Sequence, residues 1–219
     1  MATSNSRDFS LNVADVIEEA YELIGRELRT AYDAQRARRS LNIMFQDWTN
    51  RGINLWTVEQ DTLSLVSGTS EYDLNSGDID VIEAVLRRSS QDYPLERIPR
   101  RDYLNIPKKS QTGRPTRIYV ERLTSPKLYL WPTPENSTDT VISYRLQRIQ
   151  DADTLINDVD VPSRFIPPMV TGLAYYLALK LSPERVQMIL PIYEQDFFRA
   201  SNEDSERGSM YITPLIPRV

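Results

Sequence analysis

Apolar residues recur at two different periods along this chain, and the points where the period changes divide it into a helical beginning, a β-rich middle and a helical end. Val13, Val16, Ile17, Ala20, Tyr21, Ile24 and Leu28 follow steps of three and four, while Glu18, Glu19, Glu22 and Arg26 take the other side. This is the pattern of an amphipathic helix. Thr30 followed by Asp33 reads as a capping box with Asp in place of Glu. It opens a second helix whose buried stripe is Leu41, Met44, Phe45 and Trp48, with Gly52 after Arg51 as its natural stop. The short connection between the two predicts an antiparallel helical hairpin.

From residue 55 to residue 150 helical spacing disappears, and short runs of Val, Ile, Tyr and Leu alternate with Gly, Pro, Asn and Ser. The expected strands are Thr62 to Val66, Glu71 to Leu74, Ile79 to Arg87, Arg117 to Glu121, Lys127 to Trp131 and Thr140 to Leu146. Turns are expected at Ser67-Gly68, at Asn75-Ser76-Gly77 and at Pro134-Glu135-Asn136. Short strands of this kind predict a small antiparallel sandwich or open barrel. Within it, Arg100 to Ile106 reads as one helical turn and Pro107 to Pro115 as an irregular loop.

After Asp160 the helical pattern returns, with Pro162 suited to a first turn and Met169 to Leu181 apolar around most of the circumference, as for a helix at the centre of a bundle. Ser182-Pro183-Glu184 reads as an N-cap followed by Pro at the first helical position, and Val186, Ile189, Leu190, Tyr193 and Phe197 form the stripe of the last helix. The expected fold is α+β: a four-helix bundle built from the N- and C-terminal hairpins (11–54 and 161–206), an inserted β domain (55–150) and an extended C-terminal tail (207–219). Trp48, Phe45, Tyr176 and Phe197 are the expected centre of the bundle. Residues 1–10 are polar and read as an arm, with no apolar segment to direct secretion.

The residue inventory narrows the chemistry. The 219-residue chain contains no Cys and no His, which removes thiolate sites, the commonest general base and the usual partner of a Ser nucleophile. Its seven glycines are too scattered to form a phosphate loop, and neither a cofactor nor a metal is expected. Glu18, Glu19 and Glu22, or Asp151, Asp153, Asp158 and Asp160, could be proposed as an acid and base for glycoside cleavage, but solvated charge accounts for them better. The Asp group also lacks the spacing and central Gly of an EF-hand loop. The run Phe165 to Leu181 is broken by Pro167, Pro168 and Lys180 and is too short to cross a bilayer comfortably, so it reads as a buried helix, and no membrane partner is expected.

Three segments remain as candidate contacts. Arg36, Arg38 and Arg39, with Arg26 and Arg29 nearby, could meet a phosphate backbone or an acidic protein surface, and a solvated face or an intersubunit ion pair explains the same residues. A net charge of -5 argues against a surface made to hold nucleic acid everywhere. Tyr129-Leu130-Trp131 could stack bases, but its alternation favours a core strand. The tail is less easily explained as ordinary terminus: Met210, Tyr211, Ile212, Pro214, Leu215 and Ile216 follow the polar stretch Ser201 to Ser209, and docking onto a separate protein is favoured over folding back or disorder.

Three segments carry a resemblance: Leu41-Asn-Ile-Met-Phe-Gln-Asp-Trp-Thr-Asn-Arg-Gly-Ile-Asn-Leu-Trp56, Leu128-Tyr-Leu-Trp-Pro-Thr-Pro134 and Gly172-Leu-Ala-Tyr-Tyr-Leu-Ala-Leu-Lys-Leu-Ser-Pro-Glu-Arg185. In their order and spacing, together with the closing Tyr-Ile-Thr-Pro, the chain resembles the head-to-tail adaptors of short-tailed bacteriophages, of the tail tubular protein A and tail accessory factor type. The likeness runs from about Val13 to Pro214. It implies a structural virion protein and no enzyme. A homo-oligomeric, dodecameric ring would sit at the head-tail interface between the portal protein and the tail nozzle protein. The ring would pass genomic DNA, be assembled in the bacterial host cytoplasm, and send its C-terminal tail along the portal. Two rivals go with the resemblance: a cell-wall-degrading tail accessory protein, and the capsid-side connector of a long-tailed phage, whose β portion is usually much smaller.

Overall fold

The computed structural model describes residues 11–52 and 55–204, and it is mixed α+β. The described helices are α1 (Val13–Leu23), α2 (Ala31–Asn50), α3 (Arg100–Leu104), α4 (Ile166–Leu181) and α5 (Val186–Glu203). The strands are β1 (Val58–Ser64), β2 (Glu71–Asp73), β3 (Asp78–Arg88), β4 (Gln91–Pro94), β5 (Glu96–Arg97), β6 (Thr112–Gly113), β7 (Arg117–Glu121), β8 (Lys127–Trp131), β9 (Thr133–Pro134) and β10 (Thr140–Gln147).

Local chemistry sets the helix ends. Asn12 caps α1 by accepting from the Asp15 N–H at 2.9 Å. The helix stops at Leu23, short of the Leu28 that the spacing included, because Gly25 turns the chain at φ +67°. Thr30 accepts from the Asp33 N–H and donates to the Asp33 carboxylate at 2.7 Å, the expected cap in a variant form. Ser182 departs from expectation. It makes no side-chain cap, a 3-10 turn (Pro183–Arg185) precedes α5, and its hydroxyl instead accepts from Arg26 Nε at 3.3 Å.

α4 lies against α1, α2 and α5, which explains why its apolar residues cover so much of its circumference. The shared core contains Val16, Ile17, Leu41, Phe45, Trp48, Phe165, Leu173, Tyr193 and Phe197. Burying each large side chain of this kind stabilises by roughly 1.5–3 kcal/mol. Trp48 is fully buried, its ring 5.5 Å from Phe165 and 5.6 Å from Phe197. Two expected core members lie farther out: Tyr176 is half-buried and Leu190 is exposed, since α5 turns only Ile189, Tyr193, Phe197 and Ala200 fully inward.

The connections of the two helical pairs clasp each other. Arg26, between α1 and α2, donates to the Leu181 carbonyl at 2.8 Å, and Arg185, between α4 and α5, donates to the Leu23 carbonyl at 3.0 Å. Each cation thus closes the carbonyl end of a helix from the other pair, where the macrodipole also favours positive charge.

The β region holds two four-stranded sheets, ordered β1-β10-β3-β4 and β2-β8-β7-β5, plus the short pair β6-β9. One apolar core lies between the larger sheets, with Val81, Leu86 and Val141 from the first and Ile118, Val120, Leu128 and Leu130 from the second. No barrel closes. Pairing is antiparallel except for β5 with β7 and β6 with β9, which run parallel. The first strand begins at Val58, ahead of the expected Thr62, and pairs with β10 from Val58↔Leu146 to Ser64↔Thr140. Asp80 of β3 pairs with Arg97 at 2.8 Å and with Arg122, so one buried carboxylate ties the two sheets together.

Candidate functional site

The described residues gather no cluster of three or more carboxylates that could hold a metal ion. Asp158 and Asp160 serve the chain itself. Asp158 bridges to Asn12 through the backbone, and the Asp160 carbonyl accepts from Trp56 Nε1 at 3.1 Å. No described helix is long and apolar enough to cross a membrane.

One cleft, of about 460 Å³, lies over Ile98, Pro99 and Tyr119 and is rimmed by Arg97, Arg100 and Arg122. Arg97 and Arg122 are already engaged by Asp80, so the cleft offers a shallow, partly neutralised surface with no acid–base pair. Other displaced titrations are structural in origin. Burial pushes the Tyr193 phenol up to about 12, keeping it protonated at working pH. Hydrogen bonding to Arg87 holds Asp92 below the usual carboxylate range on an exposed hairpin.

What the structure offers is a set of exposed helix faces. α1 presents Asp15, Glu18, Glu19 and Glu22 outward while Val13, Val16, Ile17, Ala20 and Tyr21 fill the core. Among the described residues none of these four carboxylates has an ion-pair partner. The predicted arginines lie on α2: exposed Arg39 stands opposite the buried Ala34, Ala37, Leu41 and Met44, and half-exposed Arg36 and Arg38 stand to either side of it. At 3.6 residues per turn, Arg36 and Arg38 stand about 160° apart, so they flank Arg39 and do not converge on one point. Arg36 lies 5.7 Å from the Tyr32 ring, and none of the three pairs with a described carboxylate. Tyr32 and Ile43 are also exposed on α2.

Arg26 and Arg29, grouped with these by sequence, do different work: Arg26 clasps α4, and Arg29 pairs with exposed Glu27 at 3.3 Å. The segment Tyr129-Leu130-Trp131 divides between faces. Leu130 enters the sheet core, while half-buried Tyr129 and Trp131 pack near Tyr103 and Tyr119 on the other face. The expected contact residues Met210, Tyr211, Ile212, Pro214, Leu215 and Ile216 lie outside the described residues.

Sequence reasoning missed the apolar outer face of α5, where Met188, Ile192 and Phe198 are exposed. The signal was the adjacent pair Phe197-Phe198, since two neighbours on a helix stand about 100° apart and both cannot enter one core. It also treated the α1 acids as solvated charge, without weighing them against the arginines of the next helix.

The sequence model of a family described as SU10 adaptor protein matches residues 11–218, which includes both helical pairs and the β region. No curated protein matches the chain.

Proposed function

The chain belongs to the SU10 adaptor protein family, a family of structural phage adaptors, and from that premise we propose that it forms the ring joining the portal to the tail nozzle and continuing the DNA channel. The carrying observation is the extent of the match: it takes in the helical pairs and the β sheets together, so the adaptor reading applies to the whole described fold. As a component of the virion the protein acts by joining other virion components, and the work is mechanical, with binding energy as its only currency.

In this reading the helices of 11–54 and 161–206 act as one four-helix bundle that meets neighbouring subunits. The β domain of 55–150 faces the nozzle, and 207–219 docks along the portal through Met210, Tyr211, Ile212, Pro214, Leu215 and Ile216. Ordering of a tail on binding offsets part of the interaction energy, so one subunit binds weakly. Twelve linked docking events would hold far better, because each raises the effective concentration of the next. Assembly in the host cytoplasm follows from the same reading.

The test is sedimentation of purified portal rings with the full-length chain and with a chain ending at Ser209. Full-length protein is expected to co-sediment as a ring and the shortened one to lose at least tenfold in affinity. Equal binding by both would remove the tail from the mechanism, and binding by neither would remove the portal.

A further inference from the structure

Two neighbouring helices of one chain carry outer faces of opposite sign, and among the described residues neither face is used in an ion pair. On α1 the exposed acids Asp15, Glu18, Glu19 and Glu22 lie three or four residues apart, so every one has a like charge beside it. On α2, Arg36 and Arg39 share the same three-residue spacing, whereas Arg38 stands about 100° round the helix from Arg39. Both helices turn their buried sides to α4, and no described ion pair joins the acids of one to the arginines of the other.

We propose that the acidic face of α1 in one copy docks on the arginine face of α2 in the next copy, forming a heterologous head-to-tail interface between subunits. The inference rests on the adaptor reading for its place in a ring. It deepens that reading by assigning the two complementary patches that closure by rotation requires. Each face also carries apolar anchors beside its charges: Leu23 on α1 is 42% exposed, and Tyr32 and Ile43 on α2 are 62% and 54% exposed. Tyr and Arg side by side are the residues that dominate the centres of protein interfaces. A phosphate backbone would use the arginines but leave Tyr32 and Ile43 in water. It would also meet the acidic face of α1 close by, so a second copy of this chain fits the whole surface better than DNA does.

The experiment uses two full-length variants, Arg36→Glu with Arg39→Glu, and Glu18→Arg with Glu22→Arg, followed by sedimentation velocity over a concentration series at low and high salt. The unaltered chain is expected to self-associate weakly and less so in high salt. Each variant alone should associate at least tenfold more weakly, since the first then sets acid against acid and in the second the α1 face keeps only Asp15 and Glu19 against two new arginines, with no net charge left to meet the arginines of α2. An equimolar mixture should regain association, because the acidic α1 of the first variant meets the intact arginines of the second. Recovery on mixing also shows that both variants are folded. Unchanged association in the single variants, loss without recovery on mixing, or no salt-sensitive association of the unaltered chain at any concentration each overturns the proposal. Loss of duplex DNA retention by the arginine variant with association intact overturns it in favour of DNA. Portal binding is measured separately on the unaltered chain: recovery on mixing without portal binding would sink the portal reading and leave the interface standing, whereas portal binding without recovery would do the reverse.

Discussion

The Trp48 indole N–H donates to the Tyr193 phenol oxygen at 2.9 Å inside the helical core, where both side chains are closed off from water. A buried donor stripped of its acceptor keeps its full desolvation cost, so Tyr193→Phe is expected to lower stability by about 1–3 kcal/mol, read from urea unfolding at neutral pH. The same residue gives the fold a limit in alkali. A tyrosine in the unfolded chain titrates near 10, whereas burial holds Tyr193 at about 12, so the folded state keeps its proton more tightly. Its contribution is therefore complete below pH 10 and is lost as the pH rises from 10 towards 12. Burial also raises Tyr21, Tyr72 and Tyr176, which steepens the decline. The thermal midpoint should fall across that window, and the Tyr193→Phe variant should show a shallower fall than the unaltered chain.

Between elements, the approach of α2, α4 and α5 depends on Gly172. A Cβ placed there would lie 2.6 Å from Met44 Sδ and 2.7 Å from the Tyr193 ring. The thioether can swing aside, but the ring is pinned by Trp48. Gly172→Ala gains about 1 kcal/mol of helix propensity and loses more through overpacking, for a net destabilisation of about 1–2 kcal/mol in denaturant unfolding. α5 shows the converse: with one side committed to α4, it leaves Met188, Ile192 and Phe198 outside its core.

Over the whole molecule, α1 and α2 share an apolar core with α4 and α5, and Arg26 and Arg185 each reach across to the other's helix pair. Both guanidiniums are partly solvated, so each of Arg26→Ala and Arg185→Ala is expected to cost about 1 kcal/mol, from the typical worth of such hydrogen bonds. The double variant should differ from their sum, because Ser182 touches both the Arg26 side chain and the Ile24 carbonyl and couples the two sites. Additive losses in urea unfolding would show that the two contacts act independently. The clasp also fixes Gly25, whose added Cβ would fall 2.5 Å from the Arg185 guanidinium.

Hydrophobic period, caps and turn residues act over a few neighbouring positions, and what they govern could be read directly. α2 with its Thr30–Asp33 cap, the strands at Arg117–Glu121 and Lys127–Trp131, and the helical return after Asp160 all follow from local spacing. β4 escaped because its hairpin turn, Ser89-Ser90, adopts positive φ without the Asn or Gly that would announce it. β5, β6 and β9 escaped because two-residue strands carry no period. The arginines of α2 and the acids of α1 were each visible as charged residues. That they remain unpaired, on outer faces of adjacent helices, depends on where α4 directs the buried sides, and Arg26 and Arg185 find their carbonyls only across more than 150 residues of chain. The sequence determined which faces are apolar and which are charged, because that is a matter of residue spacing. Only the tertiary structure decided which charges are used inside the chain and which are left on outer faces without an ion pair, because pairing depends on distances that the packing of distant helices sets.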